Sequence, residues 1–409
     1  MAESIIRISN VAMLLKVETT EDVDAAPAAV DAFPFETDGY SYNSPFTSED
    51  SNEATGDMVA GAPLIIGQPA DISIRVRLKG AAATYTSLVK PPHHALFTIA
   101  GMRGLFTAAI AAAALTGGTT SSATLGTGFN TTVNAYVGMP LLMSGASAGA
   151  IALITAYSAG KVATLTDLFG APLATDSSAA LPANWTYAGT SPQGVADRAA
   201  DHPSGTLYIY EDGALLKFTG CRAVMDELSA NTAKPGFATF KLRGIFRGRT
   251  DVAIPDDIAY PGHSAPTLVR GPSGISPAFS LKRTSLPISN FSIKTGGDLT
   301  SPDDPNTPYG FGPGVIGGRT PMLSCDPLGT HVAVRDTLAD LAAGTQFTGA
   351  IRFLGAAGNR IAITLPKVQT TGSQPSERQK MRSEQNEYRL LGSGRDAQDR
   401  NTDMVICFY

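Results

Sequence analysis

A strict alternation of apolar and polar residues over residues 71–79, DISIRVRLK, constrains the fold of this chain more than any other feature. The apolar residues Ile72, Ile74, Val76 and Leu78 fall on one face of an extended chain, and polar side chains fall on the other. Because successive side chains of a strand point to opposite faces, the pattern predicts a half-buried antiparallel strand.

Turn signals extend this prediction to hairpins. Asp212-Gly213 lies between two strand-like runs and suits the positive φ angles of a type I′ turn, and Gly358-Asn359 separates two more. Further strands are predicted at residues 237–246, 280–294 and 322–335. Two short helices are predicted at residues 93–102 and 336–343, and a buried final strand at residues 403–409.

The composition agrees with a β-rich chain. Gly and Pro account for 42 and 27 of the 409 residues, which disfavours helical bundles, and 43% hydrophobic residues suffice for a sizeable core. Only 16% of the residues are charged, and the net charge is −5. A protein that binds nucleic-acid phosphates over a broad surface needs clustered Lys and Arg. Nucleic-acid-binding proteins of this kind are therefore disfavoured.

Composition also divides the chain. Residues 105–189 are almost free of charge and rich in Ala, Gly, Thr and Ser, with short strand-like runs between glycine-rich turns, which predicts an inserted small β domain. Residues 2–30 form a mixed arm, and the acidic stretch EDVDAAPAAVDAFP at its end is expected to be extended and to lie over a neighbour. Residues 38–61 are expected to form a long loop or a mobile hairpin, and residues 259–277 a linker. The predicted fold is mainly β, with two tandem β-sandwich or β-barrel domains that each carry a short helix, plus the insert. The predicted boundaries are 1–104 and 190–262 for the first domain, 105–189 for the insert and 263–409 for the second domain.

The cysteines and the apolar runs indicate the cellular compartment in which the protein is made. Cys221, Cys325 and Cys407 are far apart, without a CxxC pair, which favours reduced, buried thiols made in a cytoplasm. We expect no signal peptide at the start, and the longest apolar run, residues 105–115, is too short to span a bilayer. No membrane association is therefore expected.

No motif in the sequence predicts catalysis, a cofactor or a metal. Adjacent His93 and His94 point about 100° apart on a helix, so we interpret them as helix-start packing rather than as a metal site. The other partial motifs are interpreted as loops: the S-x-x-K match at residues 87–90, the G-x-G-x-x-G match at 312–317, and the acidic pairs at 256–257 and 303–304. The basic stripe of Arg75, Arg77 and Lys79 is interpreted as a solvated or subunit-facing side, with nucleic-acid contact as the minor alternative.

Several segments together resemble a known family. They are MLLKVETT, GAPLIIGQPADISIRVRLKG, PPHHALFTIAGM, LYIYEDGALLKFTGCRA, FATFKLRGIF, FTGAIRFLGAAGNRIAITLPKVQ and NEYRLLGSGRDAQDRNTDMVICFY. In this order they resemble the major tail tube protein of long-tailed, non-contractile (siphovirus-like) phages, also found in prophages and gene-transfer particles. The segment LGTGFNTTVNAYVGMPLLMSGASAGAIALITAYSAGKVATL in the insert is similar to a small β module of phage virion proteins, although it interrupts the first tube domain.

The resemblance implies a virion structural protein of the tail, assembled in the host cytoplasm. Copies would join their sheets edge to edge in a ring, and stacked rings would form a conduit through which phage DNA passes without specific binding. If the two halves are duplicated tube domains the ring is a trimer, which we favour; otherwise it is a hexamer. Further implied partners are a tape-measure protein and a tail terminator. Two sets of residues carry the implied contacts: Ile5, Ile6, Ile8, Glu49, Asp50 and Glu53 between rings, and Ile72, Ile74, Val76 and Leu78 in the ring sheet.

Two other classes remain open at this stage. One is a virion or cell-surface adhesin whose insert binds carbohydrate, with Trp185 and Tyr187 as its best aromatic patch. The other is an enzyme of unrecognised type, such as a hydrolase, which would need acidic residues to converge in space. A tail-completion protein of similar fold is also compatible with the sequence.

Overall fold

The computed structural model describes residues 5–51, 54, 58–59, 61–260, 267–307 and 309–409. The chain is mainly β, with 46% strand and 6% helix, which confirms the predicted fold class at that level. The strands that precede the insert, with helix α1, are β1 (Val11–Val17), β2 (Tyr40–Tyr42), β3 (Phe46–Glu49), β4 (Leu64–Gly67), β5 (Ala70–Arg77), α1 (His94–Ile99) and β6 (Met102–Thr107).

The insert has a sheet of its own. Its strands are β7 (Ile110–Ala114), β8 (Gly117–Gly118), β9 (Ser122–Thr124), β10 (Pro140–Gly145), β11 (Ile151–Tyr157), β12 (Val162–Leu165) and β13 (Ser177–Leu181). The sheet runs in the order β7-β13-β10-β11-β12-β9-β8. Because β7 and β8 are consecutive stretches of one segment, the two ends of the sheet meet there and close it into a small barrel. Closure leaves few open edges for pairing with other chains.

The chain then returns to the main body. The elements up to residue 251 are β14 (Asn184–Gly189), α2 (Val195–Asp201), β15 (Gly205–Glu211), β16 (Ala214–Asn231) and β17 (Gly236–Asp251). The remaining elements are β18 (Leu268–Val269), β19 (Phe279–Leu281), β20 (Thr284–Ser285), β21 (Asn290–Lys294), β22 (Leu299–Thr300), β23 (Val315–Ile316), β24 (Met322–Cys325), α3 (Thr337–Ala343), β25 (Gln346–Leu354), β26 (Ile361–Arg378), β27 (Met381–Leu391) and β28 (Val405–Phe408).

Eight strands lie side by side in one antiparallel layer. Their order, read from the pairings, is β2-β5-β17-β16-β21-β24-β27-β26. The first four come from the chain before residue 262 and the last four from the chain after it. The layer therefore joins the two predicted halves through the contact between β16 and β21.

Two long strands leave this layer and enter a second one. The first part of β16 pairs with β15, which pairs with β1, whereas its last part pairs with β21. The first part of β26 pairs with β28, which continues through β14 to β6. Strand β25 lies on the other side of β26. The result is a two-layer β structure whose layers share their longest strands.

One hydrophobic cluster fills the space between the layers. It extends from Met13 in β1 to Phe408 in β28 and includes apolar residues of both halves. Helix α1 inserts Phe97 into its middle, where the ring stacks on Tyr187 at 4.8 Å and meets Phe240 edge-on at 5.4 Å. Aromatic pairs at these distances add to the energy of apolar burial. The two halves thus share a core.

The turns and helix ends follow from local chemistry. Asp212 and Gly213, between β15 and β16, have φ angles of 45° and 98°, as the sequence predicted for a type I′ turn. The side chain of Asp336 caps α3 by accepting from the backbone N–H of Ala339 at 2.9 Å, and Gly344 ends the helix in the left-handed conformation. Helix α1 is shorter than predicted because Gly101 turns the chain at a φ angle of 66°.

Several boundaries differ from those expected. Strand β14 lies inside the predicted limits of the insert, yet it pairs with β6 and β28 of the main body. The seven residues of α2 were not predicted as a helix, and strand β18 falls within the predicted linker, where residues 261–266 lie outside the described chain. Pairing with distant strands decided these points, and such pairing leaves no local signal.

In the part of the chain that the structure describes, no helix is long and apolar enough to cross a membrane.

Candidate functional site

The outer face of the eight-strand layer is an extended surface built from regularly paired strands. One row of directly paired residues crosses six of its strands. A second row lies two residues further along these strands, and no residue of either row is buried. The rows are Arg77, Phe237, Ser229, Ser292, Ser324 and Glu387, and Arg75, Thr239, Glu227, Lys294, Met322 and Arg389. Apart from Phe237 and Met322, both rows are polar.

The row between these two points inward and is entirely apolar or aromatic. It consists of Val76, Ala238, Leu228, Ile293, Leu323 and Tyr388, all of them buried. The alternation that the sequence showed in β5 therefore continues across the whole layer. All four predicted ring-sheet residues of this region, Ile72, Ile74, Val76 and Leu78, face the core. They lie in or just after a strand that is paired on both sides.

Several charges on the open face are paired with an opposite charge. Arg243 contacts Asp71 through two hydrogen bonds of 2.6 and 3.0 Å, and Lys241 lies 3.1 Å from Asp226. The guanidinium of Arg75 lies 4.1 Å from the centre of the Phe237 ring. Lys79, predicted to extend the basic stripe, is buried instead, because it follows the strand rather than belonging to it. These pairs offset part of the positive charge of the face, which weakens the electrostatic attraction of nucleic acid to it.

Both sides of the eight-strand layer end in open strand edges. Strand β2 pairs with β5 on one side only, and β25 accompanies β26 only as far as Gln369. Within the described chain no strand pairs with the other side of β2 or of residues 371–378 of β26. An edge of this kind offers free backbone N–H and C=O groups to another copy. The charged segment predicted to be exposed, residues 374–387, forms the projecting hairpin of β26 and β27.

The insert covers the outside of the second layer. Arg352 of β25 reaches into the insert and donates to both carboxylate oxygens of Asp167, at 2.8 and 2.7 Å. Both side chains are 1% exposed. Arg352 also donates to the carbonyl of Ile151, and the Ser276 hydroxyl donates to Asp167 at 3.2 Å. Burial raises the pKa of Asp167, and the Arg352 guanidinium opposes that rise.

Apolar contacts complete this junction. Ile151 and Leu153 of the insert pack with outward-facing residues of the second layer, namely Ala350, Ala362, Cys407 and Tyr409. The outer side of the second layer is covered in two parts: the insert covers it at β25, β26 and β28, and Ala32 with residues 254–260 covers it at β1 and β15. Among the described residues, the eight-strand layer is the one of the two layers whose outer face is left open.

A two-stranded hairpin projects from one end of the molecule. Strands β3 and β4 pair only with each other, and Leu64 and Ile65 are 65% and 64% exposed. Phe46 anchors the hairpin, with its ring 5.5 Å from that of Tyr309 and 6.4 Å from that of Phe246. A two-stranded hairpin is marginal alone in water, and apolar side chains exposed on it favour a contact with another molecule.

The residues predicted to contact another ring are exposed wherever the structure describes them. Ile5 and Ile8 are 81% and 72% exposed, and Glu49 and Asp50 lie exposed at the end of β3. Glu53 lies outside the described residues. Ile6 is also exposed, although less than its neighbours.

The segment that contains the acidic stretch predicted to lie over a neighbour makes extensive contacts with its own chain. Residues Val11–Val17 form an internal strand of the same chain. The acidic stretch that follows is held by its own chain, where the buried Glu18 carboxylate accepts from the Ser204 hydroxyl at 2.6 Å and from the backbone N–H of Gly220 at 2.8 Å. Glu21 pairs with Arg222 at 2.6 Å. Hydrogen-bond donors and a cation from distant parts of the chain bind this stretch, and the sequence alone does not show these contacts.

The histidine pair has structural partners. His93 Nε2 lies 2.9 Å from the Pro34 carbonyl oxygen, and His94 Nδ1 lies 2.8 Å from the Tyr187 hydroxyl. Burial lowers the pKa of each imidazole to about 4, so both are neutral at pH 7. Among the described residues no group of three or more His, Cys, Asp or Glu side chains is placed to hold a metal ion.

The remaining sequence candidates lie apart from one another. Ser87 and Lys90 are exposed in a loop, and residues 312–317 run into strand β23 rather than into a helix. Trp185 and Tyr187 are buried in the main body, where they belong to the core, so the aromatic patch proposed for carbohydrate is absent from the surface of the insert. The junction residue Arg352 was missed, although a single charge inside the apolar run FTGAIRFLG is a usable signal.

Comparison of the chain with protein-family models and with curated proteins found no match.

Proposed function

We propose that this chain is a tail tube subunit, a virion structural protein that polymerises as stacked rings into a hollow conduit for phage DNA. The observation that carries the proposal is the eight-strand face, which is polar, uncovered in the described chain and bounded by open edges. Pairing of β2 with the free part of β26 in the next copy would continue the sheet around a ring.

The two layers give such a ring an inside and an outside. The outer side of the second layer is covered by the insert and by residues 254–260, so the open face is the one left to line a lumen. Part of its positive charge is offset by carboxylates, which suits a channel through which DNA passes without being held, because adhesion needs clustered cations. The insert would then decorate the outer surface.

The number of strands favours a trimer over a hexamer. Each half contributes four neighbouring strands to the face, as expected for two tandem tube domains. Three copies would supply three times eight strands, more than the 16–18 strands with which porins already enclose an aqueous channel. A tape-measure protein inside the tube and a terminator at its end are the further partners that this function requires.

Negative-stain electron microscopy of the purified chain across a concentration series tests the proposal. Hollow tubes or stacked rings are expected, and top views with threefold or pseudo-sixfold symmetry would distinguish the trimer. Dispersed particles without a ring at any concentration would refute it.

A further inference from the structure

A cleft opens at a point where strand ends of both layers meet. The ends of β21 and β27 and the start of β24 line it from the eight-strand layer, and the end of β14 and the starts of β6 and β28 line it from the second layer. It consists of two adjoining cavities of about 420 and 300 Å³, which share His202, Thr190 and Gly317 among others. Volumes of about 300–1,000 Å³ are typical of sites that bind small molecules.

Arginines dominate the charge of this cleft. Arg319 and Arg389 line the larger cavity, and Arg198 and Arg222 line the smaller one. Asp403 is the single carboxylate among the described residues that line either cavity. The whole chain, in contrast, has more acidic than basic residues, 36 against 31. The excess of cations is therefore a local feature of the cleft.

Arg319 is held in place and still has unused donors. Its Nη2 donates to Asp403 at 2.6 Å, whereas its Nε and Nη1 form no hydrogen bond with another described residue. The guanidinium lies across Gly189, where a Cβ atom would overlap Nη1. Gly189 therefore leaves the space that the guanidinium occupies at the wall of the cleft.

Arg222 is a second positioned cation. It is buried and donates to the carbonyl oxygens of His202 and Gly314 and to the Glu21 carboxylate, at 2.6–2.7 Å, while its Nη2 forms no hydrogen bond with a described residue. Burial lowers the pKa of His202, and the charges of Arg222 and Arg319 both contribute to that lowering. The two guanidiniums therefore act on the same part of the cleft, beside a neutral imidazole.

The rest of the wall combines exposed cations with apolar side chains. Arg198 and Arg389 are exposed and form no ion pair with the described residues. Much of the remaining wall is apolar and includes Val224, Met225, Ile316, Leu390 and Met404. Unused guanidinium donors thus lie next to an apolar surface within one cleft.

We infer that this cleft binds a small organic molecule that carries a phosphate or carboxylate group. The unused N–H groups of Arg319 and Arg222 hold the oxyanion, and the body of the ligand lies against the apolar wall. Guanidinium groups suit this task because their planar fork matches both kinds of oxyanion and stays charged at neutral pH. All the lining residues belong to one chain, so the site goes beyond the proposed tube function and does not require assembly.

Isothermal titration calorimetry of the full-length chain in dilute solution tests the site with three probes. They are phenyl phosphate, benzoate and phenol, which share a ring and differ in charge. Phenyl phosphate or benzoate should bind, and the tighter of the two identifies the oxyanion that the site prefers. Phenol is neutral at pH 7 and should not bind, because it offers no negative charge to the arginines.

Three variants locate the binding. Arg319→Lys keeps a positive charge beside Asp403 but loses the planar fork, and Gly189→Ala displaces the flexible end of Arg319 while every charge stays in place. Each should weaken binding by about tenfold or more, because a charge-assisted hydrogen bond is lost. Arg198→Gln removes a cation from the rim and should weaken binding less. The matched control is Arg270→Gln, which removes an exposed charge outside the cleft and should bind as the unaltered chain does.

The contrary outcomes are distinct. Affinity that is unchanged in both Arg319→Lys and Gly189→Ala would place the binding elsewhere and overturn the site. Absence of binding of both charged probes at millimolar concentration would overturn it as well, and so would equal binding of phenol. The proposed function has a separate test in the appearance of rings, so it stands or falls independently of this site.

Discussion

The buried ion pair between the insert and the main body gives the sharpest prediction. Asp167→Asn keeps the shape of the side chain and removes the charge that faces Arg352. The guanidinium would stay 1% exposed with its carbonyl and hydroxyl partners but without a counter-charge. Removing one member of a buried pair typically costs about 3–5 kcal/mol, and we expect the free energy of unfolding to fall by that amount.

Urea denaturation monitored by intrinsic fluorescence measures this change. The matched control is Glu36→Gln, which removes the carboxylate of the exposed Arg77–Glu36 pair, whose side chains are 46% and 28% exposed. Such exposed pairs contribute about 0–1 kcal/mol. The double replacement Arg352→Met with Asp167→Leu should recover most of the lost stability, because neither charge then remains buried. A cost for Asp167→Asn no larger than that for Glu36→Gln would refute the reasoning.

Three further predictions follow from the core and the helix ends. Phe97→Ala should lower the free energy of unfolding by about 3–5 kcal/mol, because it leaves a cavity in the shared core; thermal unfolding measures it. Asp336→Ala should cost about 1 kcal/mol through loss of the helix cap, whereas Asp336→Asn should cost less. Because the pKa of His94 is about 4 in the folded chain and near 6.5 when unfolded, the unfolded state binds more protons between these values. Stability should therefore fall as the pH drops from about 6.5 to 4, and His94→Gln should make that fall shallower.

Each of these three predictions has an outcome that would contradict it. An unchanged melting temperature in Phe97→Ala would mean that the helix does not fill the core. Equal losses in both Asp336 variants would remove the cap as the cause. The histidine account would fail if His94→Gln left the pH dependence of stability unaltered while the variant remained folded.

Local patterns in the sequence determined which residues face inward and where hairpins turn. The alternation in β5 placed Ile72, Ile74 and Val76 on the buried face, because side chains of a strand alternate whatever its partners are. Asp212-Gly213 fixed a turn for a similar local reason, since it tolerates positive φ angles. The helix after Asp336 and the buried final strand could also be predicted from the local sequence.

Tertiary structure alone decided which strands are neighbours and which charges are buried. Strands β16 and β26 each change partners along their length, and nothing in their sequences marks the point of change. Arg352 and Asp167 are remote in sequence and meet only because the insert folds back onto β25. Trp185 entered the core because β14 pairs with the main body. Pairing partners depend on the packing of the whole chain, whereas alternation and turn chemistry are properties of a few adjacent residues.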